Sequence, residues 1–264
     1  MLRRALVLAG VTAACLAQAA EDPYPWVASA YLVKRNGELL WAGAQAERLP
    51  PASLAKMMTA LLVLERGDLD RDVTVSRGVA HETGTRIGLR PGDRLRAGDL
   101  LAATVIRSAN DACFALAEDV GKDAQGFVAL MNRRAAALGL ADTRFADPCG
   151  HDRAGQFSSA ADLARIAEQL IEQPEYLRLS RSARLAIATT DGRRRFDLYN
   201  TNALIGRYRG AIGLKTGYTQ AAGNCLVAFA ERRGVRVLLV LLNAPNRWWN
   251  AAGLLDRAFE AQVR

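Results

Sequence analysis

Ser53 and Lys56 stand three residues apart in Pro50-Pro51-Ala52-Ser53-Leu54-Ala55-Lys56-Met57-Met58-Thr59-Ala60. On a helix that spacing puts a hydroxyl and an amine on one face. A serine beside a desolvated lysine makes a nucleophile without histidine: burial disfavours the ammonium and draws its pKa towards about 7–8, so the neutral amine can take the serine proton. The two prolines mark a helix start, whose partial positive charge favours an anion developing there. The run that follows is apolar almost all round, so the helix is expected to be buried. Taken alone, Ser-x-x-Lys equally describes an N-cap serine followed by a snorkelling lysine, although Lys56 stands where a capping box prefers Glu or Gln. Two further stretches carry groups of the same kind. Arg107-Ser108-Ala109-Asn110-Asp111 offers Ser108 as a proton relay to a leaving amine and Asn110 to orient a substrate amide, though by itself it also reads as a helix cap. Leu214-Lys215-Thr216-Gly217-Tyr218-Thr219 ends a strand with a positive charge, a hydroxyl and a glycine that lets another backbone come close; alone, it is also an ordinary strand end with an exposed lysine.

Composition narrows the alternatives. With 264 residues, 50% hydrophobic and 23% charged, the chain has the apolar material of a folded protein, in one large domain or two small ones. The formal charge of +8 is scattered and not gathered into a run, so nucleic acid is not an expected partner, whereas an anionic cell wall would attract it. The only histidines, His81 and His151, stand in no metal-ligand spacing; neither a metal nor a cofactor is expected.

The elements that must hold these groups can be placed from turn residues and apolar spacing. Ala28–Lys34 and Glu38–Ala42 flank Asn36-Gly37, a type I′ hairpin signal. Gly210–Tyr218, Cys225–Glu231 and Val235–Leu242 read as three more strands. Helical spacing covers Ser53–Arg66, Ala97–Arg107, Asp111–Val120, Ala124–Leu138 and Ser159–Glu172, with a closing amphipathic helix over about Trp248–Ala261. The expected fold class is therefore α/β in the α+β sense: one antiparallel five-stranded sheet flanked by helices, plus an all-helical lobe that leaves a cleft against the sheet.

The ends carry signals of another kind. Arg3-Arg4, the apolar run Ala5–Leu16 and Ala17-Gln18-Ala19 have the form of a secretory signal peptide over residues 1–20, so residues 21–264 are the expected working domain. The expected location is the periplasm or extracytoplasmic cell-wall space. Cys15 raises a lipoprotein alternative, but Thr12-Ala13-Ala14 is a poor match to a lipidation site. Once Cys15 is removed, Cys113, Cys149 and Cys225 can form at most one disulfide, with its partners left open.

In this order, Ser-x-x-Lys, Ser-x-Asn and Lys-Thr-Gly form the signature of penicillin-recognising serine enzymes, and the chain resembles low-molecular-mass penicillin-binding proteins of the D-alanyl-D-alanine carboxypeptidase type. Gly88-Leu89-Arg90-Pro91-Gly92-Asp93, Asn110-Asp111-Ala112-Cys113, Gly217-Tyr218-Thr219 and Ala222-Gly223-Asn224-Cys225-Leu226-Val227 extend the resemblance over essentially the whole mature chain. It implies a fold like that of penicillin-binding proteins and serine β-lactamases. It implies Ser53 as the acyl-forming nucleophile, Lys56 as general base, and Ser108 and Asn110 as relay and substrate clamp. Lys215, expected to keep its proton, and Thr216 would hold the substrate's terminal carboxylate. The backbone N–H groups of Ser53 and Tyr218 would form the oxyanion hole, and Arg247 would add charge near the carboxylate. Some members place an arginine between two asparagines ahead of the third motif; this chain has Asn200-Thr201-Asn202.

The implied substrates are peptidoglycan stem pentapeptides, which lose their terminal D-alanine, with β-lactams as covalent inhibitors. Larger members add a β-rich domain and a membrane tail; neither is expected here, and Leu254, Leu255 and Phe259 are expected in a core. D,D-endopeptidase action on cross-links uses the same residues and is the principal alternative. A class A β-lactamase would need Glu-x-x-x-Asn to activate its deacylating water, and the sequence holds none. A non-catalytic peptidoglycan-binding protein would not need the full set of reactive side chains.

Overall fold

Along β1 (Ala30–Arg35), Tyr31 and Val33 are buried on one face and Ala30 and Leu32 on the other, so the strand lies in a sheet covered on both sides. The structure, a computed structural model, describes residues 22–261; the expected signal peptide lies outside the described residues. After the hairpin partner β2 (Glu38–Gly43), a 3₁₀ turn over Ala52–Ala55 leads into α1 (Lys56–Arg66). Next come β3 (Asp72–Thr74), α2 (Arg77–Ala80), β4 (Arg94–Arg96) and α3 (Ala97–Ala102). A π-helical turn, Ala103–Arg107, precedes α4 (Asn110–Gly121) and α5 (Ala124–Ala137). After them follow α6 (Ala160–Ile171), α7 (Pro174–Ser180), and the hairpin of β5 (Arg184–Ala188) and β6 (Arg195–Tyr199). The chain closes with β7 (Ala211–Thr219), β8 (Gly223–Arg232), β9 (Val235–Leu242) and α8 (Arg247–Glu260).

The five-stranded antiparallel sheet has the order β2-β1-β9-β8-β7, so the strands from the two ends of the chain meet at its centre. Its period-2 alternation divides two cores. Leu226, Ala228, Val237, Leu239 and Leu241 face α8, where Ala251, Leu254, Leu255 and Ala258 close the smaller core. Leu254 and Leu255 are buried there, each worth about 1.5–3 kcal/mol by transfer from water. Val227, Phe229, Leu238, Val240 and Leu242 face the helical side, sharing the larger core with Leu163, Ile166 and Leu170 of α6 and with Met57, Met58 and Leu61 of α1. Helix α1 is thus central, its apolar girth matched by neighbours on all sides.

The sequence expectation of an antiparallel sheet with a helical lobe holds, and the differences are local. The helix expected over Ala97–Arg107 is α-helical only to Ala102; its last turn is a π turn that ends at Ser108 with φ 62°. The helix expected from Ser53 opens with the 3₁₀ turn, whose first residue, Ala52, has φ 48°. The pairs β3–β4 and β5–β6 and the short helices α2 and α7 were not expected. Strands β3 and β4 are three residues long, too short to stand out by alternation, whereas Arg195-Phe196-Asp197-Leu198-Tyr199 of β6 carries a period-2 signal that could have found it.

Candidate active site

Three segments meet at the edge strand β7: the turn that opens α1, the π turn before α4, and β7 itself. Ala52, immediately before Ser53, and Ser108 are both non-glycine residues in the left-handed region. Such conformations cost of order 1–3 kcal/mol and collect at functional sites, as do π turns. The backbone around Ser53 is gripped closely from two sides. A Cβ at Gly150 would lie 1.9 Å from the Ala52 carbonyl oxygen, and one at Gly217 would lie 3.2 Å from the Ser53 nitrogen. Gly150 also has φ +88°, so only glycine fits both the conformation and the space.

Lys56 is 1% exposed. Its Nζ donates to Asn110 Oδ1 at 2.7 Å, to the Cys149 carbonyl at 2.5 Å and towards Ser53 Oγ at 3.0 Å. Burial lowers its pKa to about 7, against the opposing pull of Asp147 and Glu82. That is the range the sequence reading expects for a serine-activating amine. The geometry gives the reason it works: two N–H groups are committed to fixed acceptors, so in the neutral amine the remaining position, a lone pair, points at Ser53 Oγ.

Lys215, 2% exposed, donates to Ser108 Oγ at 2.7 Å and to the Thr216 carbonyl at 2.9 Å. Burial, together with the cations Lys56 and Arg247, holds its pKa well below the usual lysine value. The proton on Lys215 is therefore held loosely until an anion arrives, and an arriving carboxylate would tighten it. Thr216 Oγ1 lies 2.8 Å from Thr201 Oγ1, between the two asparagines. Arg247, stacked on Trp248 at 4.6 Å, donates Nη1 to the Gly217 carbonyl at 2.7 Å and to the Cys225 carbonyl at 3.3 Å. It braces β7 and β8 as well as adding charge near Lys215. The Tyr218 side chain is exposed, and the Gly217 before it is the β7 residue packed against Ser53.

Asn110 departs from the simple clamp expected of it. Its Nδ2 donates to the Thr83 carbonyl at 2.7 Å and faces His151 Nε2 at 2.9 Å, so both amide hydrogens have partners within the protein. Neither His151 nor Asp147 was singled out from the sequence as part of the site. Asp147 organises the turn 147–151: Oδ1 accepts from the backbone N–H groups of Cys149, Gly150 and His151, and Oδ2 faces His151 Nδ1 at 3.2 Å. Burial opposes the charge on Asp147, but the bonds from His151 and the backbone outweigh it and hold the carboxyl below its usual pKa. The available signal was Asp147-Pro148-Cys149-Gly150-His151, a turn-forming run ending in a histidine. The question of cysteine pairing is settled by proximity: Cys113 of α4 and Cys149 form a disulfide and Cys225 is free and buried.

A family profile described as peptidase S11, D-alanyl-D-alanine carboxypeptidase, matches residues 17–246. The D-alanyl-D-alanine carboxypeptidase DacF of Bacillus subtilis is 36% identical over 241 residues, covering 88% of this chain and 61% of that protein. The D-alanyl-D-alanine carboxypeptidase of Streptomyces sp. strain K15 is 30% identical over 97% of this chain and 94% of its own length. Among solved structures, the Streptomyces K15 DD-transpeptidase superposes with a TM-score of 0.84 at 28% identity, covering 89% of this chain and 98% of that one. The D-alanyl-D-alanine carboxypeptidase of Mycobacterium tuberculosis H37Rv superposes with a TM-score of 0.84 at 31% identity, covering 90% of this chain and 92% of that one. The chain spans 61% and 57% of the first two curated relatives, from Bacillus subtilis and Escherichia coli.

Proposed function

The chain belongs to the D-alanyl-D-alanine carboxypeptidase family of serine peptidases, and from that premise we propose that it removes the terminal D-alanine from peptidoglycan stem pentapeptides through an acyl-enzyme on Ser53. The observation that carries this reading is the buried Lys56 amine, lowered to a pKa of about 7 by burial and aimed at Ser53 Oγ from 3.0 Å. Neutral Lys56 takes the Ser53 proton as Oγ attacks the carbonyl carbon of the D-Ala-D-Ala bond. The resulting oxyanion is held by the backbone N–H groups of Ser53 and Tyr218, a contribution of about 2.7–4 kcal/mol per donor. As the tetrahedral intermediate collapses, the proton taken up by Lys56 is relayed through Ser108 to the leaving amine, which restores neutral Lys56; D-alanine departs, and water later hydrolyses the ester. Lys215 and Thr216 receive the terminal carboxylate of the substrate.

The cations support that last assignment. The charged groups pressing on Lys215 are Lys56 and Arg247, so a substrate carboxylate completes a site otherwise short of negative charge. Export to the cell-wall space fits the Cys113–Cys149 disulfide, a bond of oxidising compartments. No helix among the described residues is long and apolar enough to cross a membrane.

Intact-mass measurement after incubation with benzylpenicillin should show one added β-lactam that persists, and none in Ser53→Ala. A digest offering pentapeptide monomers and cross-linked dimers in equal amounts then tests the substrate. Free D-alanine with dimers intact supports carboxypeptidase action. Dimers converted to monomers while pentapeptides survive overturns it in favour of endopeptidase action.

A further inference from the structure

Asn110 is the hinge of the Lys56 cage, and its amide has four hydrogen-bonding positions to fill. The Thr83 carbonyl and the Lys56 amine decide its orientation: Nδ2 must face the carbonyl and Oδ1 the amine. The second amide hydrogen then points at His151 Nε2, 2.9 Å away, which must be an acceptor. The other ring nitrogen explains how it remains one. Nδ1 faces Asp147 Oδ2 at 3.2 Å, so it carries the hydrogen of the neutral ring and leaves a lone pair on Nε2. Asp147 is itself buried and fixed by three backbone N–H groups, and the imidazole stacks on Phe114 of α4 with ring centres 5.5 Å apart.

We propose that His151, set in one tautomer by Asp147, is a positioning residue: its neutral Nε2 locks the Asn110 amide that holds Lys56 against Ser53, and a proton on His151 releases that lock. The protonated ring presents N–H to N–H across the 2.9 Å contact, so Asn110 loses a partner. The charged groups around the imidazole are Asp147 and Arg153 on its own segment and Glu82 from the loop between α2 and β4, with Lys56 of α1 on the far side of the Asn110 amide; the Asp152 carboxylate is turned towards Thr219 and Ala221. α4 contributes Asn110 and the uncharged Phe114.

This inference rests on the reading of Ser53 as the acylated serine, and the test separates the two. The rate of labelling by a fluorescent penicillin is measured from pH 5 to 9 for the wild type, His151→Phe, His151→Ala and His151→Gln, with folding checked by thermal melting. His151→Phe keeps the stacked ring without the lone pair, and His151→Ala removes both the ring and the lone pair should the larger ring not be accommodated. Loss of one positioning bond should slow labelling about three- to tenfold. His151→Gln, which offers an oxygen near the Nε2 position but does not titrate, should recover most of that loss and show a shallower acid limb than the wild type. A folded Phe or Ala variant within twofold of wild type, a Gln variant as slow as they are, or a wild-type limb no steeper than that of Gln overturns the proposal alone. A wild type that takes no label overturns the Ser53 reading and this proposal with it.

Discussion

Lys56 is costly to bury as a cation, and that cost is what would let it serve as the proposed base. With burial lowering its pKa to about 7, the neutral fraction rises as the pH climbs through that value. Acylation by penicillin should therefore increase up to and just beyond about pH 7 and then level off. Asp147 and Glu82 pull in the opposite direction, so removing the negative charge of Glu82 with Glu82→Gln should move the midpoint to lower pH. Lys56→Arg keeps a positive charge of similar reach but has no accessible neutral form. It should fold and yet label about 10²–10⁴-fold more slowly; near-normal labelling would remove Lys56 from the base role.

The catalytic elements are held by a few backbone contacts that tolerate little change. The segment 147–151 gives Lys56 the Cys149 carbonyl and presses Gly150 against Ala52 and Ser53. The Cys113–Cys149 disulfide ties that segment to α4, whose first residue is Asn110. Both acceptors that fix Lys56 therefore sit on elements joined by one covalent bond. Across a sequence separation of 36 residues, such a bond stabilises a fold by about 2–4 kcal/mol. Cys113→Ala with Cys149→Ala should lower the midpoint of chemical unfolding accordingly and slow penicillin labelling under conditions where the variant remains folded. An unchanged midpoint would show that packing alone holds the two segments together.

For the whole molecule, the helical side and the sheet together bring Lys56 and Arg247 close enough to press on Lys215. A substrate carboxylate relieves that pressure, because it is attracted to every member of the group. A stem peptide ending in D-alanine amide keeps the scissile bond and loses only the charge. It should be processed about 10- to 100-fold less efficiently than the free acid in kcat/KM, the value of a hydrogen bond to a charged group. Lys215→Ala should narrow the difference between the two substrates, and equal use of both by the unmutated protein would remove Lys215 from carboxylate recognition.

Much of this was legible because the motif residues are local. Ser53 and Lys56 share a helix face by spacing alone, the Lys215-Thr216-Gly217 run falls in an expected strand, and the near-continuous apolar runs of β8 and β9 fit strands covered on both faces. Leu254 and Leu255 could be assigned to a core from helical periodicity. Tertiary structure decided what depends on residues distant in the chain. His151 reaches Asn110 across 41 positions, Cys149 meets Cys113 across 36, and Lys215 meets Ser108 across 107. The π turn before Ser108 and the left-handed Ala52 are set by the packing of neighbouring elements, since neither residue favours that backbone by its own preference. Local sequence thus determined which groups can react, through the periodicity of helix and strand. Their proton affinities and hydrogen-bond partners came from the fold, because desolvation and the charge of neighbours exist only once distant segments have closed around them.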